Sequence, residues 1–134
     1  MLEGFKTRIS EKTAGYFLLI LMACTIVFHG FVLLGTVPYN IVWGGQLESV
    51  EEMYMMESVS IGLTLFMAWM VAVRIEVLHA KFPALLSQFI FGGMALLFLL
   101  NTIGNLFAVN SLETLLFTPL TLLSTIACFR LTLW

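Results

Sequence analysis

Residues 37–60 read VPYNIVWGGQLESVEEMYMMESVS, and they are the one long polar interruption in an otherwise apolar chain. The stretch has no lysine or arginine, and it holds four of the eight acidic residues: Glu48, Glu51, Glu52 and Glu57. Membrane proteins keep their positively charged loops in the cytoplasm, so a loop without basic residues belongs on the outer side. The stretch therefore predicts an outer loop, residues 37–52, that leads into a membrane helix.

The rest of the chain is too apolar for a soluble domain of its size. Hydrophobic residues make up 60% of the 134 residues, against about 45–50% in soluble domains, and charged residues 10%, against about 25%. The mean hydropathy of +1.03 agrees. Part of the surface must be solvated by lipid, so we expect a single transmembrane domain over residues 1–134. Its expected partner is the lipid bilayer and not a nucleic acid.

Apolar runs on both sides of the loop are long enough to cross a bilayer, which takes about 20 helical residues. They predict helices at 14–36, 53–73, 84–109 and 115–133, joined by loops at 37–52, 74–83 and 110–114. The first run is too long for a signal peptide, so we expect no cleavage there. The predicted fold class is all-α: an integral membrane four-helix bundle that runs up-down-up-down.

The basic residues give this bundle its orientation. All of them fall on one side of the four-span arrangement: Lys6, Arg8, Lys12, Arg74, Lys81 and Arg130. A three-span or five-span arrangement would break that sorting. The sequence therefore predicts a multi-pass protein of the inner (plasma) membrane with both termini in the cytoplasm. Aromatic residues fit belts at the two surfaces: Tyr16, Trp69 and Trp134 at the inner one, and Tyr39, Trp43 and Tyr54 at the outer one.

Polar side chains concentrate near the outer ends of the predicted helices. Counted inward from the outer loop at 1.5 Å per residue, Glu57 lies about 6 Å deep and His29 about 10 Å deep. We therefore predict that Glu57 and His29 approach each other, with Asn101 or Asn105 as a bridge. The candidate ligand-binding residues are His29, Glu57, Asn101, Asn105, Thr118 and Thr121.

Each of these residues also has a structural interpretation. Stripes of threonine, serine and alanine are typical of packing seams between membrane helices, and asparagines there form interhelical hydrogen bonds. Glu57 fits a purely structural role least well, because an acid below the interface is costly and often functional. Its side chain could still reach the surface, so function and structure are equally consistent with the sequence.

Two blocks of sequence carry a resemblance: YNIVWGGQLES at 39–49 and LLNTIGNLFAVNSLETLLFTPLTLL at 99–123. Together they resemble a family of small uncharacterised four-helix bacterial integral membrane proteins. The resemblance implies the same helical layout, and it implies no function, cofactor or site residue.

Three functions remain open on the sequence. The first is binding or transport of a proton, a cation or a small polar ligand in the outer polar pocket, where transport would need a homo-oligomer. The second is an accessory or structural subunit that docks another protein in a larger membrane complex. The third, a membrane enzyme acting on lipid or quinone, ranks last, because His29 and Glu57 supply two of the three ligands usual for catalytic zinc and have no nucleophile beside them. We expect no catalytic residue, metal or cofactor.

Overall fold

The computed structural model of the chain describes residues 2–108, 111 and 113–133, and for residues 2, 5 and 113 it gives the backbone alone. Every regular element in that part of the chain is helical. Trp134 of the predicted inner aromatic belt and residues 110 and 112 of the predicted short loop lie outside the described residues.

Five α-helices follow one another in the described part of the chain: α1 (Leu2–Arg8), α2 (Glu11–Leu33), α3 (Val50–Arg74), α4 (Ala84–Leu106) and α5 (Thr118–Thr132). Two 3₁₀ turns, Tyr39–Ile41 and Trp43–Gly45, lie between α2 and α3, and a π-helical turn, Glu113–Phe117, leads into α5. Among the described residues, four helices are long and apolar enough to cross a membrane: α2, α3, α4 and the combined stretch Thr114–Thr132.

The first membrane helix begins and ends earlier than predicted. It begins at Glu11 rather than at residue 14, because the Ser10 hydroxyl accepts the backbone N–H of Thr13 and so caps the helix. It ends at Leu33 rather than at residue 36. Gly35 has a φ of 74°, a left-handed conformation that glycine adopts without strain and that ends a helix.

The next helix also begins earlier, at Val50 rather than at residue 53. The Ser49 hydroxyl accepts the N–H of Glu52 at 3.1 Å, and the Glu52 carboxylate accepts the N–H of Glu48 at 2.9 Å. The first bond satisfies a backbone donor that a helix start leaves open, and the second connects the end of the loop to the first turn of the helix. The connecting loop is therefore residues 34–49, which has the same length as the predicted 37–52 and lies three residues earlier in the chain.

The helices pack in the order α3–α2–α5–α4. The most extensive contacts join α4 with α5, α2 with α3, and α2 with α5. The main core consists of apolar side chains from all four helices, many of them flexible methionines, among them Leu18, Met22, Met67, Met70, Phe91 and Met94. A smaller cluster of Val32, Val42 and Met53 fastens the connecting loop onto α2 and α3. We call this end of the bundle the loop end.

Two arginines, the buried Arg130 and the partly buried Arg74, connect the helices at the opposite end. Arg74 forms an ion pair with Glu11 and donates to the carbonyl of Leu133 at 3.2 Å. Arg130 donates to the carbonyl of Ile9 at 2.7 Å and to the same Leu133 carbonyl at 3.3 Å. We call this group the arginine clasp. The sequence indicated only that both arginines lie on one side of the membrane, and not that they bind the ends of other helices.

Candidate functional site

A buried carboxylate lies at the loop end of the bundle. Only 1% of Glu57 is exposed, although it is an acidic residue in a helix with exposed apolar residues on another side. Its Oε2 atom is hydrogen-bonded to Nδ1 of His29, and its Oε1 atom accepts the indole N–H of Trp43 at 2.9 Å. The predicted approach of His29 and Glu57 is confirmed, while their role in ligand binding stays a prediction. The alternative, that Glu57 reaches the membrane surface, is wrong.

The antiparallel packing of α2 and α3, which are consecutive in the chain, explains why His29 and Glu57 meet. His29 lies about one turn before the end of α2, and Glu57 about two turns after the start of α3. Because the two helices contact each other along their length and share one loop, residues at similar distances from that loop face each other. Only 13% of the His29 side chain is exposed, so the pair is largely withdrawn from solvent.

Trp43 is the third member of the site, and the sequence analysis placed it only in an aromatic belt. It has a φ of 55°, which is uncommon for a residue with a side chain, and the left-handed residues Gly44 and Gly45 follow it. This turn directs the indole inward to Glu57. The ring also lies 6.5 Å from the His29 ring, with an interplanar angle of 30°. The Trp-Gly-Gly sequence was the available signal, because consecutive glycines permit such a turn.

The chemistry of this group follows from its hydrogen bonds. Both oxygens of the Glu57 carboxylate are engaged, one by His29 and the other by Trp43. A carboxylate and an imidazole joined in this way can hold a proton between them, and either partner can carry it. No three His, Cys, Asp or Glu side chains lie close enough to hold a metal ion in the described part of the chain.

The other four candidate residues lie elsewhere. Thr121 accepts hydrogen bonds from Thr102 Oγ1 at 2.9 Å and from Asn105 Nδ2 at 3.5 Å, which joins α4 to α5. Asn101 is exposed, and the buried Thr118 hydroxyl has no partner among the described residues. The predicted bridge from Asn101 or Asn105 to the His29–Glu57 pair is not formed within residues 2–108, 111 and 113–133. The candidate residues thus form two separate groups in the structure: His29 with Glu57, and Asn105 with Thr121.

A cavity of about 310 Å³ lies near the site at the loop end. It lies between the connecting loop, the last turn of α2 and the first turn of α3, and its lining residues are Val32, Gly35, Val37, Pro38, Tyr39, Asn40 and Met53. Val32 and Met53 lie about one turn from His29 and Glu57, respectively, along their helices. The loop that carries Trp43 therefore also forms one wall of this cavity.

Comparisons of the chain with protein-family models, with curated proteins and with solved structures find no match. They lend no support to the family resemblance of residues 39–49 and 99–123.

Proposed function

We propose that the chain is a multi-pass membrane protein that binds a proton from the outer side at the His29–Glu57 pair. The observation that carries this proposal is the buried Glu57 carboxylate with a partner on each oxygen. An acid kept below a membrane surface is costly, and it is usually retained for a function. A proton can join this pair without displacing either partner, whereas a larger cation would have to displace Trp43 or His29.

The apolar interior supports binding from one side rather than passage through a single bundle. Residues 58–73 of α3 contain no titratable side chain, and α4 contains none along its whole length. The core between the site and the arginine clasp consists mainly of methionine, leucine and phenylalanine side chains. Transport would therefore require an assembly of several copies, whereas proton binding requires only one.

An infrared titration of the purified protein in lipid tests this proposal. Acidification should produce a carboxylic acid C=O band that is absent from the Glu57→Gln variant and displaced in His29→Gln. The control is Glu51→Gln, because Glu51 is exposed at the start of the same helix, and this variant should keep the band. If no band depends on Glu57 while the protein stays folded, Glu57 takes up no proton and the proposal fails.

The orientation is part of the proposal: both termini in the cytoplasm and the loop 34–49 outside the plasma membrane. The sorting of lysine and arginine supports it. Gln46 and His79 are both exposed, one in each of two successive connections. In a chain whose own cysteines are replaced by alanine, Gln46→Cys should react with an impermeant thiol reagent in intact cells. His79→Cys should react only after permeabilisation, and the opposite pattern would reverse the orientation.

A second candidate function, docking of another membrane protein, is favoured by the exposed side of α4. A Cβ added at Gly93 or Gly104 would meet no neighbouring atom within 4 Å, and Asn101 is exposed between them. Glycines allow close helix approach, and an asparagine exposed to lipid lacks hydrogen-bond partners. Native mass spectrometry after gentle extraction should then detect a bound subunit that Gly104→Leu releases, and a monomer in both samples would exclude this function.

A further inference from the structure

We infer that Trp43 is the gate of the proton site: its indole holds the loop closed while Glu57 is ionised and releases it when Glu57 takes up a proton. This inference rests on the proposed function, since it assumes that Glu57 binds a proton. It adds a regulated movement of the loop 34–49 to that function.

The backbone at Trp43 is held in a conformation that it would not adopt alone. Three successive residues, Trp43, Gly44 and Gly45, have φ values of 55°, 67° and 72°. The glycines adopt them freely, but a residue with a Cβ is strained there unless surrounding contacts compensate. The backbone of the closed loop is therefore strained at Trp43, whose indole binds the Glu57 carboxylate.

The hydrogen bond to Glu57 is the contact that compensates. The Trp43 residue is still 39% exposed, so burial of its ring does little to hold it. The indole N–H bond to the Glu57 carboxylate, at 2.9 Å, connects this turn directly to α3. Neighbouring Val42 is packed against α2 and α3, which fixes one side of the turn and leaves the Trp43 side free to move.

Protonation of Glu57 weakens this bond more than the bond to His29. A hydrogen bond to an ionised carboxylate is roughly twice as strong as one to a neutral acceptor. The Glu57–His29 bond survives protonation, because a carboxylic acid can donate to a neutral imidazole nitrogen. The indole can only donate, so it loses the charge-assisted part of its bond. The turn can then relax, and the indole leaves the site.

Glu57 and His29 control the pH-dependent movement of the loop, because the other titratable groups near them are solvated. The other titratable groups near the loop end come from the loop and the start of α3, and they are exposed apart from the half-buried Tyr39: Tyr39, Glu48, Glu51, Glu52 and Tyr54. Helix α4 presents no charged side chain, and the described charged side chain of α5 is Arg130 in the arginine clasp. Solvated acids act on the buried pair through water and salt, which screen them.

Opening of the gate would also open the adjoining cavity of about 310 Å³, because the same loop forms its wall. Asn40 lines this cavity from the loop, and Met53 lines it from α3 one turn before Glu57. A single movement of the loop therefore gives the outer solution access to the buried Met53 and the carboxyl group together.

Fluorescence of a protein with Trp43 as its single tryptophan tests the gate. In the Trp69→Phe/Trp134→Phe background, acrylamide quenching in lipid nanodiscs should rise several-fold on acidification, with a red shift in emission. The change should follow the infrared titration of Glu57. Glu57→Gln should be strongly quenched already at neutral pH, whereas the Glu51→Gln control should behave like the background protein.

A second measurement does not depend on Glu57 variants. Met53→Cys, in a chain without its own cysteines, should react with a thiol reagent faster as the pH falls, because Met53 is 4% exposed while the loop is closed. Adding Trp43→Phe, which removes the N–H and keeps a ring, should make that reaction fast at every pH, while adding Trp69→Phe should change nothing. If Glu57 titrates in the infrared but quenching and labelling stay constant, the gate is refuted and the proton site stands. If the Glu57 band itself is absent, the proposed function falls first.

Discussion

Replacing His29 by alanine should be among the most destabilising single changes at the loop end. The variant leaves the Glu57 carboxylate, 1% exposed, with Trp43 as its remaining partner in the described structure. Removing the partner of a buried charge costs up to about 3–5 kcal/mol, mostly because the charge is left uncompensated. The cost should shrink as the pH falls, since protonation of Glu57 removes that charge.

The double variant His29→Ala/Glu57→Gln distinguishes the cost of a buried charge from the cost of a lost hydrogen bond. Glu57→Gln alone keeps acceptor and donor atoms and should cost about 1 kcal/mol, the worth of an ordinary hydrogen bond. In His29→Ala/Glu57→Gln no buried charge remains, so the cost should be about 1–3 kcal/mol, one unsatisfied polar group. The double variant should thus be more stable than His29→Ala by about 2 kcal/mol, roughly a 30-fold change in the unfolding constant.

Reversible unfolding in mixed micelles with increasing sodium dodecyl sulfate measures these free energies at neutral and mildly acidic pH. The matched control is Thr25→Ala, one turn from His29 on α2, whose hydroxyl bonds to the carbonyl of Leu21 in its own helix at 2.9 Å. That change should cost under about 1 kcal/mol. If His29→Ala costs no more than the control, or if the two site variants simply add, Glu57 is not held as a buried charge and the reasoning is refuted.

Two further predictions concern the opposite end and use the same assay. Gly15→Ala should lower the free energy of unfolding by about 1–3 kcal/mol, because its new Cβ would overlap the Cγ2 methyl of Ile75, a branched side chain that is 4% exposed. The control Gly62→Ala meets no atom within 4 Å and should be neutral or stabilising. Equal effects of the two variants would contradict the packing argument. Arg74→Lys should lower the free energy of unfolding by about 1.5–3 kcal/mol, because lysine lacks the planar guanidinium that binds Glu11 and the end of α5 at once. An unchanged unfolding midpoint would show that the arginine clasp does not stabilise the bundle.

Much of the fold follows from run lengths and hydropathy, and the ends of the helices do not. Apolar runs give the number of membrane helices because a bilayer has a fixed thickness. The first two membrane helices nevertheless start earlier than hydropathy suggests, since the hydroxyls of Ser10 and Ser49 cap them. Gly35 then ends α2 through its backbone conformation. Such caps are local hydrogen bonds, and a hydropathy average cannot detect them.

The sequence predicted how deep the site residues lie in the bundle, but not which helix each of them faces. Counting residues from a shared loop brought His29 and Glu57 to similar depths, and this was enough because the consecutive helices α2 and α3 contact each other. The same count placed Asn101 and Asn105 at that level. Depth does not specify which helix a residue faces, and α4 packs on α5 rather than beside α2. The sequence did not predict the contact of Trp43 with Glu57, because this contact depends on a left-handed backbone turn.

The arginine clasp has a consequence for the order in which the bundle assembles. Arg74 leaves the ribosome 59 residues before Leu133, whose carbonyl it binds, a delay of about 3–12 s at usual rates of synthesis. Its other partner, Glu11, has by then already been made. The ion pair can therefore fasten the α2–α3 hairpin while α4 and α5 are still being translated. A nascent chain that stops short of Arg130 would keep this first hairpin and lack the contact that secures Ile9, so insertion should proceed as two hairpins in sequence.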